Sequence, residues 1–391
     1  MRKIFLTAMA VLSIASAQVF GMYGVDTDWI TFLTDANQFR ARLDQLGFTL
    51  GNDTIKGTFG FDNNMSFGGI YGSIFKTGVA PDQNGQMKAS DIHYDFVPTI
   101  SMGLGYTSSL ISVGVGYNVT IGQGKIAKFN GKEESKNTER VGHTPVLVLN
   151  ALDNALRIAV PIQVYVNNDK YDSTDPKEKS SETAVSLDAQ IRYYTGLEVL
   201  PQIRFYLRYG YYGVVTNNRN DVPKDSYKAE TFGFDFRLYF GSMVEEVALE
   251  PSIRISYDTA LSKSHAMHRI QAIQVLTGSK PSQYTGPNGG LTPTDYGKQY
   301  YKLSIKPTLG LSASSDIVTL FLEPSLGLAV EGGKLSSDKD TLSLDYGVYS
   351  EITLSPLKNL NLYLEAELSK DYGNQLGFNA QTGITWYLPQ F

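Results

Sequence analysis

Gln202-Ile-Arg-Phe-Tyr-Leu-Arg-Tyr-Gly-Tyr211 alternates at every step. Ile203, Phe205, Leu207, Tyr209 and Tyr211 fall on one face of an extended chain, while Gln202, Arg204, Tyr206, Arg208 and Gly210 fall on the other. A period of two belongs to a strand. The same unit, a run of roughly 9 to 14 residues followed by a turn, recurs from about Met65 to Phe391. Its apolar face continues from run to run while the opposite face carries charge. A soluble sheet protein would be arranged the other way about, so the pattern points to a barrel standing in lipid.

Fourteen such runs are read from the sequence: 65–76, 92–104, 110–121, 145–151, 156–166, 185–193, 203–211, 230–240, 247–257, 301–311, 318–330, 342–354, 360–368 and 376–388. The expected fold is all-β, an antiparallel up-and-down transmembrane barrel of about 14 strands. Sixteen is the alternative, if 54–61 pairs in the wall and a further strand lies within 259–298. Connections at every second position are tiny, as at 107–109, 153–154, 241–242, 314–316 and 355–359. Those between them are long and polar, as at 122–143, 167–181, 216–227, 259–298 and 331–339. Short periplasmic turns and long outer loops have this asymmetry, and an even strand count keeps both ends periplasmic. Tyr94, Tyr117, Tyr165, Tyr211, Tyr257, Tyr301 and Tyr346 lie at the long-loop ends of their runs, where an outer aromatic girdle is expected.

The chain has 391 residues, 42% of them hydrophobic, a net charge of −5 and no cysteine. No stretch beyond the N-terminus reaches the roughly 18 apolar residues of a spanning helix. The negative balance and the lack of a basic cluster argue against nucleic acid as a partner. Residues 1–21 read as a signal peptide: Arg2 and Lys3, an apolar run, then Ala15-Ser16-Ala17, with cleavage after residue 17 or 21. Residues 22–62 are expected to hold a helix from Asp28 to Leu46, because Trp29, Phe32, Leu33, Ala36, Phe39, Leu43 and Leu46 form one stripe at helical spacing. Such a helix would plug the lumen or dock in the periplasm. The barrel is expected over 63–391.

By parity, Arg204, Arg208, Asp235, Arg237, Glu250, Arg254, Lys302, Lys306, Glu323, Glu365 and Glu367 face inward. Either they form a polar pore wall or they are a salt-bridged interior that stiffens the barrel. On the lipid face at the midplane an Arg or Lys would cost about 2–4 kcal/mol, so the inward placement is enforced physically. Pro251, Pro307 and Pro324 sit on the lipid-facing parity inside strands, and each removes a ladder donor. His265 and His268 lie three apart in a loop of helical character, 262–277, without a third ligand for a zinc set. Asp91, His93 and Asp95 supply acid and base types only. The glycines of 286–290 read as turn chemistry. No enzyme activity, cofactor or metal is expected.

The last run carries a more specific signal. Gln381, Gly383, Trp386 and Leu388 resemble the polar-x-Gly-x-x-Φ-x-Φ signal that hands barrels to the outer-membrane assembly machinery, and the chain ends in Phe391, one step out of parity. Further resemblance lies near the N-terminus. Met22-Tyr-Gly24, the segment from Trp29 to Phe48, and Asn52-Asp-Thr-Ile-Lys-Gly-Thr-Phe-Gly-Phe61 resemble the variable surface proteins of spirochaetes. The resemblance implies an abundant, surface-exposed, antigenically variable outer-membrane protein, cleaved after Gly21, with no catalytic residues to carry over. Outer-membrane lipid, the assembly machinery, and host molecules or antibodies at the outer loops are the expected partners. A homo-oligomer and a solute-channel function with a charged lumen stay open.

Overall fold

The computed structural model describes residues 29–42, 45–63, 98–122, 127–129, 132–134, 140–170, 179–217, 223–261, 267–277, 281, 299–333, 340–370 and 376–391. Sixteen strands pair, each antiparallel to its neighbours, into one closed sheet. They are β1 (Gln38–Arg42), β2 (Gln45–Gly51), β3 (Ile55–Asn63), β4 (Pro98–Tyr106), β5 (Ile111–Gly122), β6 (Arg140–Ala151), β7 (Leu156–Lys170) and β8 (Lys179–Tyr194). The second half is β9 (Gln202–Asn217), β10 (Pro223–Tyr239), β11 (Val247–Ala260), β12 (Tyr301–Ser314), β13 (Val318–Gly332), β14 (Thr341–Leu357), β15 (Leu360–Lys370) and β16 (Gly377–Tyr387). A short strand, Ser242–Val244, extends the turn after β10 by pairing with β11. The last twelve strands run from 11 to 17 residues, enough to cross a bilayer at the tilt of barrel strands.

The sheet is inside out relative to a soluble fold. Val113 and Val115 in β5, Leu320, Leu322, Leu326 and Leu328 in β13, and Leu362 and Leu364 in β15 are partly or largely exposed on the outer surface. Between them Ser112, Asn118 and Thr120 in β5, and Arg204 and Arg208 in β9, are buried on the inner surface. An apolar surface of this extent is stable only against lipid. Aromatic rings mark the outer face: Phe205 stacks on Phe234, Phe234 on Tyr257, and Tyr257 on Tyr301, at centroid separations of 6.0–6.4 Å. Of the expected girdle, Tyr117 and Tyr346 are exposed outward. Tyr165 is not, being fully buried inside because it shares parity with Gln163 and Asn167. Tyr94 lies outside the described residues.

The N-terminal stripe is not one helix. Trp29–Thr31 is a single 3-10 turn, and the chain then enters β1 and β2. Residues that looked like one helical face divide between two environments: Trp29, Phe32 and Leu33 are buried in the lumen, whereas Leu46 is exposed on the outer wall. The decisive force is closure. β1 pairs on one side with β16, Phe39 opposite Trp386 and Ala41 opposite Ile384, and on the other with β2, Phe39 opposite Phe48. A helix there would leave β16 with an open edge in lipid, whose unpaired backbone groups cost several kcal/mol each. The strand count is therefore 16 rather than 14, and the wall begins at Gln38.

Residues 54–61 do join the wall, within β3. The expected strand at 65–76 and the first part of the one at 92–104 lie outside the described residues. Of 259–298, the described part that follows the end of β11 holds a six-residue helix, α1 (Ala272–Thr277), and β11 pairs directly with β12; the rest of that segment lies outside the described residues. Pro251, Pro307 and Pro324 are tolerated in the ladder, the pairs flanking Pro307 keeping register from Ile305–Leu328 to Thr308–Ser325.

Because the chain has no native cysteine, closure is open to a direct test. With Ala41→Cys and Ile384→Cys together, paired Cα atoms fall within disulfide reach. Oxidation is expected to give a cross-linked species of altered gel mobility, reversed by reductant. A helical segment at this place would leave both thiols free to alkylation.

Candidate functional site

Among the described residues the lumen gathers the ionisable side chains, and its inner residues can be followed from strand to strand along the register. Asp188, Arg208, Gly233, Asp258 and Lys302 stand opposite one another in succession on β8 to β12. Gly233 has no side chain, so the Arg208 guanidinium passes over it to donate to Asp258 Oδ2 at 3.1 Å. A Cβ on Gly233 would collide with that carboxylate. Arg208 also reaches Asp235 Oδ2 at 2.9 Å and lies 3.7 Å from Asp188. Lys306 and Asp345 repeat the device, their 3.2 Å ion pair spanning Gly327 on the strand between them.

Asp235 is the hub, its side chain fully inaccessible. It accepts from Arg237 at 2.9 Å and from Arg254 at 2.7 Å in addition to Arg208. Three guanidiniums on one buried carboxylate satisfy that carboxylate and hold β9, β10 and β11 in fixed register. Removing one member of such a buried pair costs about 3–5 kcal/mol. Two of the cations also lie over tyrosine rings: Arg204 over Tyr239 at 4.3 Å and Arg237 over Tyr206 at 4.5 Å. Lys302 pairs with Glu331 at 3.4 Å, and Arg42 with Glu365. Glu365 and Glu367 line a cavity of about 200 Å³ with Arg42, Tyr349, Asn379 and Gln381. Glu323 lies within electrostatic reach of Lys306, Arg237 and Arg204.

Two segments fold inward and narrow this space. Residues 29–37 lie against β4 to β7, where Trp29, Ile30, Phe32 and Leu33 cluster with Val146, Val148 and Ala159. Their seat is paved with glycine. A Cβ on Gly116 would come within 2.6 Å of the Trp29 ring, and one on Gly105 or Gly114 would meet Leu33. Arg157 donates to Thr34 Oγ1 at 2.9 Å, Lys56 Nζ donates to the Asp35 carbonyl, and Asn37 Nδ2 donates to the carbonyls of Gly51 and Pro389. The second segment is 267–277 with α1. Ile270, Ala272, Val275 and Leu276 bury against Tyr165, Ala184, Tyr212 and Ala229. Its backbone amides are met by wall side chains: Ile270 N–H by Thr231, Ala272 N–H by Ser186 and Ile273 N–H by Gln163. Arg269 binds Asp188 at 2.7 Å, which ties this loop to the ionic network.

A family model, Serpulina hyodysenteriae variable surface protein, matches residues 2–387. The chain belongs to this family. No curated protein sequence matches it. Among solved structures it is similar to the ferric yersiniabactin uptake receptor FyuA from Yersinia pestis, with 10% identity and a TM-score of 0.40, covering 89% of this chain and 65% of that one. It is also similar to the copper transporter OprC, with 9% identity and a TM-score of 0.40, covering 90% of this chain and 64% of that one. A third is Wzi, the carbohydrate-binding outer-membrane barrel of capsule assembly in Escherichia coli, with 8% identity and a TM-score of 0.29, covering 90% and 84%. The chain thus spans just under two-thirds of the length of the first two.

In this variable surface protein, Arg204, Arg208 and Asp235 are buried, and Arg237, Glu250, Arg254, Lys302, Lys306, Glu323, Glu365 and Glu367 are half-buried on the same inner parity. The register brings seven of the eleven into ion pairs, Asp235 and the three arginines around it among them. Their partners Arg42, Asp188, Asp258, Glu331 and Asp345 lie outside that set, although Asp188, Asp258, Glu331 and Asp345 share the inner parity of their strands. Gln381 and Gly383 face inward in β16. Trp386 is exposed outward, and Leu388 and Phe391 follow the strand. Leu388 N–H is held by the Asn37 carbonyl. His268 lies in the inward loop with its ring 5.2 Å from that of Tyr300, while His265, His93 and Asp91 fall outside the described residues.

Two outcomes follow for the inward segments. Gly116→Val is expected to overpack the seat of Trp29, at a cost of about 1–3 kcal/mol. In a Trp386→Phe background, which leaves Trp29 as the sole indole of two, its fluorescence should shift red and become open to a soluble quencher. The second outcome concerns pH. Burial holds the His268 imidazole below its ordinary value, with Asp258 and Glu331 opposing and Lys302 and Arg269 reinforcing the shift. A depressed histidine binds fewer protons docked than undocked, so docking of 267–277 should weaken as pH falls below about 6.5 and level off beneath the docked value. Limited proteolysis of the loop between pH 7.5 and 5.5 is the measurement, and His268→Gln should flatten that component of the response.

Proposed function

We propose that the chain is a surface-displayed outer-membrane barrel whose long connections are its exposed and antigenically variable face. The observation that carries this reading is the asymmetry of the two rims. One rim is closed by turns as short as 152–155, 315–317 and 358–359, whereas connections at the other include 64–97, 123–139 and 261–300. Wall residues must satisfy lipid outside, packing or ion pairing inside, and a ladder on both edges. Long-rim residues outside the inward segment 267–277 need satisfy only water. Sequence change is therefore cheap where a host would see it. Family membership over 2–387 supports the same reading, with the polar segments 125–140 and 169–182 as the presented surface. A second reading, a solute channel, draws support from the charged inner wall around Asp235 and Arg208.

Protease treatment of intact cells tests the display reading. Cleavage within 123–139, 171–178 or 261–300, with the short-turn rim untouched until the outer membrane is opened, is the expected result. Cleavage confined to the short-turn rim would reverse the orientation. Planar-bilayer conductance of the refolded chain tests the channel reading, which a silent barrel removes.

A further inference from the structure

The seam where the sheet closes also builds a frame on its inner side. Gly383 on β16 stands opposite Arg42 on β1 and opposite Tyr363 on β15. With no side chain at Gly383, the Arg42 guanidinium crosses β16 to lie over the Tyr363 ring, 5.1 Å from its centroid, and to pair with Glu365. A Cβ there would collide with the Tyr363 hydroxyl. Moving from the seam toward the long-loop rim, the register sets Gln381 opposite Glu365, Asn379 opposite Glu367, and Glu367 opposite Tyr349 on β14. Tyr349 is held in turn. Its hydroxyl donates to Glu351 Oε2 at 3.1 Å, and its ring meets Phe321 edge-on with centroids 6.1 Å apart.

Within this frame lies the cavity of about 200 Å³, on the inner face of β14 to β16 and β1. At about 30 Å³ per water it has room for about seven waters, or for one ligand the size of a single sugar ring. Its polar lining divides into two sets. Arg42 and Glu365 answer one another across the seam. Glu367, Asn379 and Gln381 are half-buried or exposed on the cavity side, and their side chains make no hydrogen bond or ion pair among the described residues. A rigid frame with a few convergent polar groups left open is the form of a small-molecule site.

The open groups select the class of ligand. A carboxylate only accepts hydrogen bonds, whereas a carboxamide both donates and accepts. An anion would meet Glu365 and Glu367 as like charges. A simple cation would answer Glu367 but leave the amide N–H groups of Asn379 and Gln381 without an acceptor. A hydroxyl donates and accepts through one atom, and neighbouring hydroxyls on a ring match the paired polar atoms of carboxylate and carboxamide. The Tyr349 ring adds an amphipathic surface for the C–H groups between them. We propose that this cavity binds a neutral, polyhydroxylated solute of monosaccharide size, with Glu367, Asn379 and Gln381 as the recognising side chains. The proposal deepens the channel reading by naming its solute class and rests on that reading for any role in passage, but binding is separable from conduction.

The test uses the full chain refolded in micelles of an amine-oxide detergent, which carries no sugar headgroup. Glucose, galactose and mannose are titrated separately and binding is followed by saturation-transfer NMR, with ethanolammonium chloride and sodium acetate as the cationic and anionic arms. Saturable binding of at least one sugar is expected, weakened at least about tenfold in Glu367→Gln, as for loss of a hydrogen bond to a charged group. Asn379→Ala should weaken it by about three- to tenfold, while Ser112→Ala, on the inner face of β5, should leave it unchanged. Wild-type protein that binds none of the three sugars, that binds ethanolammonium or acetate instead, or whose sugar binding is indifferent to Glu367 and Asn379 would overturn the proposal. If Glu367→Gln fails to refold, Asn379→Ala carries the test at an exposed position, and undiminished affinity in that variant overturns the site. In bilayers, a barrel that binds sugar yet carries no current upholds the site and removes the channel reading. A conducting barrel whose current is unchanged by saturating sugar overturns a role for the site in passage.

Discussion

Every backbone amide and carbonyl in the hydrocarbon layer needs a partner inside the protein, and the rest of the structure follows from that demand. A sheet meets it only by closing on itself. Closure here falls to the two shortest strands, the five residues of β1 and the seven of β2, set between β16 and β3. The tie is reinforced outside the ladder: Asn37 holds the carbonyls of Gly51 and Pro389, and Arg42 holds Glu365 two strands away. The first and last strands are thus joined by side chains as well as by backbone. Closure also explains why Trp29 to Leu33 is inside, since β1 starts at the short-turn rim and the residues just before it reach the lumen floor.

Once the wall is closed, its outer face is filled by apolar side chains in lipid, and the ion pairs that join strands are gathered inward. Charges confined in a narrow space must be paired by whichever strands the register places side by side. Glycine extends that reach. At Gly233 and Gly327 a missing side chain lets an ion pair span three strands, Arg208 to Asp258 and Lys306 to Asp345. At Gly105, Gly114 and Gly116 the same absence makes room for an aromatic segment instead of a bridge. A residue type that weakens a strand by itself here decides what the lumen contains.

Much of this could be read from residue order. Two-residue alternation such as Ile203 to Tyr211 showed both faces at once, and connection lengths gave sidedness without coordinates. The closing strand could not be read that way. Trp29, Phe32, Leu33, Phe39 and Leu46 satisfy a 3.6-residue period by chance, and β1 is too short for Phe39 and Ala41 to outweigh it. Only the need of β16 for a neighbour decides between the two periods. Tyr165 was legible and misread: Ile162, Val164 and Val166 claim the outer parity of β7, so a tyrosine between them turns inward whatever its distance from the rim. The ionic partners are a different case. Parity places Asp188, Arg208, Asp258 and Asp345 inside, but which of them meet depends on register, fixed by strands dozens of residues apart.

The interior also bears on the relation between coat and pore. A barrel needed only as a scaffold for loops could fill its lumen with neutral polar side chains, as β5 does with Ser112, Asn118 and Thr120. Such a filling avoids the desolvation cost of buried charge. From β8 to β12 the chain does the opposite and concentrates guanidiniums. Much of this concentration is paired across strands: Asp235 joins β9, β10 and β11 through Arg208, Arg237 and Arg254, and Arg204 lies over the Tyr239 ring. Among the described residues the two inward segments rest elsewhere on the wall: 29–37 on β4 to β7, and 267–277 across β7 to β10 nearer the long-loop rim, at Gln163, Ser186 and Thr231. Among the described residues, apolar filling thus occupies one part of the inner wall and the buried guanidiniums of Arg192, Arg204 and Arg208 another, so that packing and charge divide the lumen between them.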